Sequence, residues 1–176
     1  MIIPSTRVFS AGEVETGAYL NSAVTNLGNF MLGKPICSMY STSTQSFASG
    51  TDAAVTPWTE VVDRDNGHDT ITNPSRYTFQ TAGYYWIAGG ANFTSTTATY
   101  RGTYFRLNGS TAIQGTSSFL SVASVGFAST SCALAYFSVG DYIELMGRVQ
   151  TTATTLVAPP AGSTATAWFD VVWVSA

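Results

Sequence analysis

A chain of 176 residues can bury the core of one domain and carry a short appendage, and two full domains would be a squeeze. Only 10% of the residues are charged, while 45% are hydrophobic and 13% aromatic, a balance that suits a surface hidden in an assembly better than a freely diffusing monomer. The net charge of -3 with seven scattered Lys and Arg argues against nucleic acid and a polybasic membrane anchor, and no apolar run is long enough for a membrane-spanning helix.

Residues 1–9 hold Pro4 and no periodic pattern, which predicts an irregular arm, and they lack the basic start and apolar core of a signal peptide. Ser10 and Glu13 have the spacing of a capping box, so a helix is expected to follow. From Gly17 the apolar residues Leu20, Val24, Leu27 and Met31 are spaced 4, 3 and 4 apart, as in a coiled-coil seam. Asn21, Ser22, Thr25, Asn26 and Asn29 take the other faces. Gly33 is placed to end the helix and Pro35 prevents continuation. About two heptads fall short of what sustains a coiled coil alone. The seam therefore packs on its own domain or is covered by a partner, as an oligomer-forming stalk or a docking element. Residues 1–35 are read as this docking or oligomerisation segment and residues 36–176 as a β-sandwich head.

After Pro35 the pattern turns to strands. Ile36 to Tyr40 and Trp58 to Val62 read as strands around a Ser/Thr-rich loop or weak edge strand. The most aromatic and least charged stretch, Thr81 to Phe93, reads as a central strand packed on both faces. Its Gly89-Gly90 pair allows a bulge or a close backbone approach. Phe105 and Leu107 alternate with Tyr104 and Arg106, and Asn108-Gly109 is a hairpin signal. Further strands are expected from Phe119 to Ala128, Ser131 to Val139, Tyr142 to Val149 and Thr166 to Val174. The last places Ala167, Phe169, Val171 and Trp173 on one face. About nine or ten short strands, with no helical pattern after Gly33, argue for an all-β antiparallel sandwich, most economically a jelly roll. An immunoglobulin-like sandwich fits less well, because Cys37 and Cys132 do not frame a Trp in its order.

Residues that could carry chemistry are few, and no catalytic residue and no cofactor is expected. His68, the one histidine, would have to serve any Ser-His-Asp arrangement, and between Gly67 and Asp69 it reads as an exposed loop imidazole. Asp63, Asp65 and Asp69 with Asn66 are a weak calcium candidate; turn-forming Asp, Asn and Gly explain them without metal. Glu60, Asp141, Glu144 and Asp170 lie on or beside strands, and nothing pairs them as glycosidase carboxylates. Cys37 and Cys132 are expected to be two buried thiols, with a disulfide as the alternative.

Tyr84, Trp86, Tyr100, Tyr104 and Trp168 are too many aromatics for one core face, and such residues suit a partner subunit or a sugar. The expected docking or oligomer interface is accordingly Leu20, Val24, Leu27, Met31, Tyr84, Trp86, Tyr104 and Trp168.

Three stretches resemble the C1q/TNF-like jelly roll. Thr81 to Ile87 looks like its Gly-x-Tyr strand, Val139 to Leu145 like its Gly-Asp turn and the strand after it, and Thr166 to Val174 like its closing strand. Arg106 to Gly109 fits the hairpin between them. Members of that family are compact trimers, so the resemblance implies a homotrimer. Phe9 to Asn21 and Gly67 to Thr78 resemble segments of small virion proteins of tailed bacteriophages that infect actinobacteria. In such proteins a short N-terminal segment attaches to the particle and a β-rich head projects. This second resemblance implies a non-enzymatic protein of the virion surface whose partners are phage capsid or tail proteins. Two placements follow from it: a capsid decoration protein, or a minor tail or fibre-tip protein that binds host-surface glycan during adsorption.

Overall fold

A computed structural model describes residues 11–13, 16–93, 100–113, 118–120, 127–150, 154–155 and 164–176. Helix α1 (Gly17–Leu32) starts later than the capping-box spacing predicts. Thr16 is the N-cap: its backbone is extended and its hydroxyl accepts the Tyr19 N–H at 3.4 Å, so Glu13 lies outside the helix. Gly33 closes it by donating its N–H to the Asn29 carbonyl at 2.8 Å.

Thirteen strands follow among the described residues: β1 (Ile36–Ser41), β2 (Ser46–Phe47), β3 (Asp52–Ala54), β4 (Thr59–Asp63), β5 (Arg76–Thr78), β6 (Gly83–Phe93), β7 (Tyr100–Leu107), β8 (Thr111–Ala112), β9 (Ser118–Leu120), β10 (Phe127–Phe137), β11 (Tyr142–Gln150), β12 (Thr154–Thr155) and β13 (Ala167–Ser175). The surplus over nine or ten comes from ladders of two or three residues, too short to show a period in sequence. Of the strand expected from Phe119 to Ala128, residues 121–126 lie outside the described residues, and the strand expected from Ser131 to Val139 starts earlier and ends at Phe137. β10 runs unbroken from Phe127 because it pairs with β6 along its whole length.

The strands form two antiparallel sheets in the orders β10-β6-β13-β1-β4 and β3-β11-β7-β8, with β5 beside β11, β9 beside β7, and β2 paired to β12. Period-2 alternation supplies the core of the expected jelly-roll sandwich. Tyr85 and Ile87 of β6, Phe169 and Val171 of β13, and Cys37 and Met39 of β1 meet Phe105 of β7 and Ile143, Leu145 and Val149 of β11. Phe105 and Phe169 touch across the two sheets at 5.2 Å between ring centroids. Phe79 lies flat on Phe137 at 4.0 Å, with Tyr77 and Tyr85 edge-on against it.

β6 lies between β10 and β13, yet it is not packed on both faces. Its inward residues are buried, whereas Tyr84 and Trp86 point outward and are exposed. Gly89-Gly90 marks a close approach and not a bulge, since the register with both neighbours continues through the pair. A Cβ on Gly90 would stand 2.6 Å from the Ser129 carbonyl oxygen. Asn108 and Gly109, at φ 48° and 73°, make the expected hairpin turn between β7 and β8.

Candidate interaction surface

Strands β10, β6, β13 and β1 contain a single charged residue, Asp170. Their outward side chains register as lateral rows. Leu134, Trp86, Val172 and Ile36 lie side by side across four strands. Tyr136 stands opposite Tyr84, with their rings 5.4 Å apart and edge-on. Tyr84, Trp86, Leu134, Tyr136, Val172 and Val174 are all exposed. At about 200 Å² per aromatic side chain and about half of each showing, the three rings alone present about 300 Å², and the aliphatic neighbours extend this into the size range of the largest, often functional, apolar patch of a monomer. Leu134, Tyr136, Val172 and Val174 were not singled out from sequence. On β13 both faces are apolar, so alternation cannot tell the outward pair from the buried Val171 and Trp173.

Tyr104 and Trp168 are not part of this patch. Trp168 faces outward from the other end of β13, half-buried against Gly90. Tyr104 lies on the outer face of the other sheet, where its hydroxyl donates to Asp52 at 2.9 Å; burial and that bond push its pKa up to about 12.

That second face is charged. Arg76, Glu144 and Arg106 occupy directly opposed positions on β5, β11 and β7. The nearly buried Glu144 carboxylate accepts Arg106 Nη2 at 3.0 Å and the Ser75 hydroxyl at 2.7 Å, with Arg76 Nε at 3.6 Å. Burial alone would raise the Glu144 pKa, but the bonds from Ser75 and Arg106 and the two guanidinium charges outweigh it and hold it below the usual range. Arg76 also lies over the Tyr142 ring at 4.0 Å, and Arg148 pairs with Asp52 at 3.4 Å.

A second apolar surface runs along α1. Leu20, Val24, Leu27 and Met31 are all more than half exposed. The helix meets the sandwich at its last turn, where Phe30 packs edge-on against Trp173 at 5.3 Å and the Leu32 carbonyl accepts Arg64 Nη1 at 2.8 Å.

The remaining candidates are tied into the scaffold. His68 is buried, not exposed: Nδ1 meets Glu60 Oε1 at 2.7 Å and Nε2 meets the Pro74 carbonyl at 3.2 Å. The calcium candidates each serve the chain itself. Asp63 accepts the His68 N–H, Asp65 accepts the Tyr77 hydroxyl, and Asp69 accepts the N–H groups of Ile71 and Thr72. Among the described residues no group of His, Cys, Asp and Glu is arranged to hold a metal ion, and no helix is long and apolar enough to cross a membrane. Glu144 and Asp170 lie on opposite outer faces, so they cannot face each other across a cleft. Cys37 and Cys132 are both free; Cys37 is buried, but Cys132 is exposed on the apolar face, correcting the expectation of two buried thiols.

No protein-family model and no curated protein sequence matches the chain. Solved structures do. Murine APRIL at pH 5.0 is 14% identical with a TM-score of 0.59, over 80% of this chain and 99% of that one. The globular domain of zebrafish complement 1qA is 12% identical with a TM-score of 0.54, over 80% and 98%. Eiger TNF from S. frugiperda is 11% identical with a TM-score of 0.58, over 81% and 94%. The fold is therefore the C1q/TNF-like antiparallel jelly roll, here with one N-terminal helix.

Proposed function

We propose that this chain is a non-enzymatic structural protein of a bacteriophage virion surface, assembled as a homotrimer through the outer face of the β10-β6-β13-β1 layer. The observation that carries the assembly is that face itself: four strands with one charged residue and a continuous exposed row of tyrosine, tryptophan, leucine and valine. Its burial between copies accounts for a composition poor in charge, and the trimer is the arrangement that the C1q/TNF-like resemblance implies. The virion setting is supported by the resemblance of residues 9–21 and 67–78 to small phage virion proteins. In this reading residues 36–176 are the head and residues 1–35 anchor it, as a capsid decoration protein. A protein that binds only the assembled shell favours that shell by mass action.

One observation favours the second placement, a minor tail or fibre-tip protein that binds host glycan. In such a trimer the charged outer face stays open, and there Tyr142, Arg76, Glu144 and Tyr104 set ring faces beside ordered hydrogen-bonding groups, the mixture that sugars use. Labelling purified virions with an antibody to this protein separates the readings. Label over the head supports decoration, label confined to the tail supports adsorption, and absence of label overturns the virion role. Sedimentation of the purified protein as a monomer overturns the trimer.

A further inference from the structure

We infer that the apolar seam of α1 is covered by the same helix of neighbouring copies, in a parallel three-helix collar at one end of the trimer. The inference rests on the trimeric reading above. Four observations select another copy as the occupant. First, the seam is not the face that the helix turns to its own sandwich: Phe30, which packs on Trp173, stands about 90° round the helix from the seam. Second, α1 contains no charged residue from Gly17 to Leu32, so identical helices meet side by side without like-charge repulsion. Third, the spacing of Leu20, Val24, Leu27 and Met31 is self-complementary in a parallel, in-register pairing.

Fourth, the helix is continuous with the proposed trimer face. Its C-terminal end, whose Leu32 carbonyl accepts Arg64 from the turn after β4, is held to β13 by Phe30 on Trp173 and by the Trp173 N–H on the Pro35 carbonyl at 3.0 Å, and leads directly into β1. The same two strands contribute Val172 and Ile36 to the apolar row. Copies that meet through that row bring their helix ends to one end of the assembly, pointing the same way. A seam of two heptads is too short to associate from free solution. Tethering changes this, because short connections give effective concentrations on the order of millimolar. The head trimer thus closes the collar, and the residues before Thr16 are left to hold the particle.

The test uses the full chain with Cys132→Ser, so that the exposed native thiol does not compete. Val24→Cys places a thiol in the seam, and Ser22→Cys places one on the opposite side of the helix. Each is oxidised with diamide at equal protein concentration and read as covalent dimer on a non-reducing gel, alongside its mass by light scattering. The collar predicts a trimer in which Val24→Cys cross-links at least about tenfold faster than Ser22→Cys, given the local concentration above. A trimer without that preference overturns the collar and leaves the head trimer standing, with the seam reserved for a different protein of the particle. A monomer overturns the trimeric reading, and the collar falls with it.

Discussion

Replacing Trp86 by Lys removes the widest ring from the centre of the apolar row. Trp86 shows 45% of its surface on the single chain. At about 200 Å² for a Trp side chain, about 90 Å² is available for burial by a neighbouring copy, worth about 2 kcal/mol per subunit at ~25 cal/mol/Å². Three copies lose about 7 kcal/mol per trimer, or about five decades in the association constant at ~1.4 kcal/mol per decade. Trimerisation is third order, so the half-dissociation concentration should rise by about the square root of this, roughly 300-fold. Desolvating the new ammonium group adds to the effect.

Sedimentation equilibrium over a concentration series measures that midpoint, and near-ultraviolet circular dichroism checks that the sandwich persists. The side chain already faces water on the single chain, so the monomer fold should survive. Ile71→Lys is the control: Ile71 is 88% exposed in a loop away from the sheet, and its replacement should leave the midpoint in place. An unchanged midpoint for Trp86→Lys, or an equal shift for Ile71→Lys, would refute burial of this face in the assembly.

Four further outcomes test the scaffold. Gly90→Ala drives a Cβ against the Ser129 carbonyl oxygen at 2.6 Å and should cost about 1–3 kcal/mol in a urea melt. Phe79→Ala empties the stack on Phe137 and should cost about 3–5 kcal/mol by the same measurement. Burial raises the Asp65 pKa, so the folded carboxyl holds its proton more tightly than the unfolded one, and its contribution to stability falls as pH rises through that raised value. Asp65→Asn, which keeps an acceptor for the Tyr77 hydroxyl, should therefore be more stable than the parent at pH 7 and lose the advantage below the usual carboxylate range; a pH-independent difference would contradict this. His68→Phe removes both ring nitrogens that meet Glu60 and the Pro74 carbonyl and should cost at least about 1–3 kcal/mol, where an exposed imidazole would change stability by less than about 0.5 kcal/mol.

The sandwich was legible from the number of short strand-like runs and the turn signals between them, as at Asn108-Gly109, more than from alternation, which β13 with apolar residues on both faces does not show. The helix end was legible from Gly33 and Pro35. Its start was not, because Ser10 and Glu13 offer a local capping pattern and only the chain geometry makes Thr16 the cap. His68 looked like a loop residue because its partners come from elsewhere: Glu60 from β4, and Pro74 from the far side of the turn. Tyr84 and Trp86 were visible as surplus aromatics. Separating Tyr104 from that surface required knowing which strands share a sheet. Aromatic content does not encode that, and the structure puts Tyr104 on the opposite face of the sandwich from Trp86.

The distribution of charge carries more than its total. Most named carboxylates in the described chain hold something in place: Glu144 two arginines, Asp52 Arg148, Glu60 His68, Asp65 the Tyr77 hydroxyl, and Asp141 the Ser138 N–H in the turn before β11. Apart from Glu60 on β4, these anchors sit on the charged sheet and in the turns, and none of them serves the β10-β6 side of the other sheet. β10 is an edge strand, and an exposed edge is ordinarily blunted with Lys, Pro or a bulge. Here its outward residues include Leu134 and Tyr136, it pairs with β6 without a bulge, and it has no charge along its length. In a closed trimer the same edge and the row beside it are covered, and closure limits the assembly to one size. Under the proposed trimer, low charge and an uncharged edge strand would be two consequences of one arrangement. A Trp86→Lys chain that stays monomeric and soluble while the parent trimerises would show that the sheet face, and not the fold as a whole, is what the missing charges leave open.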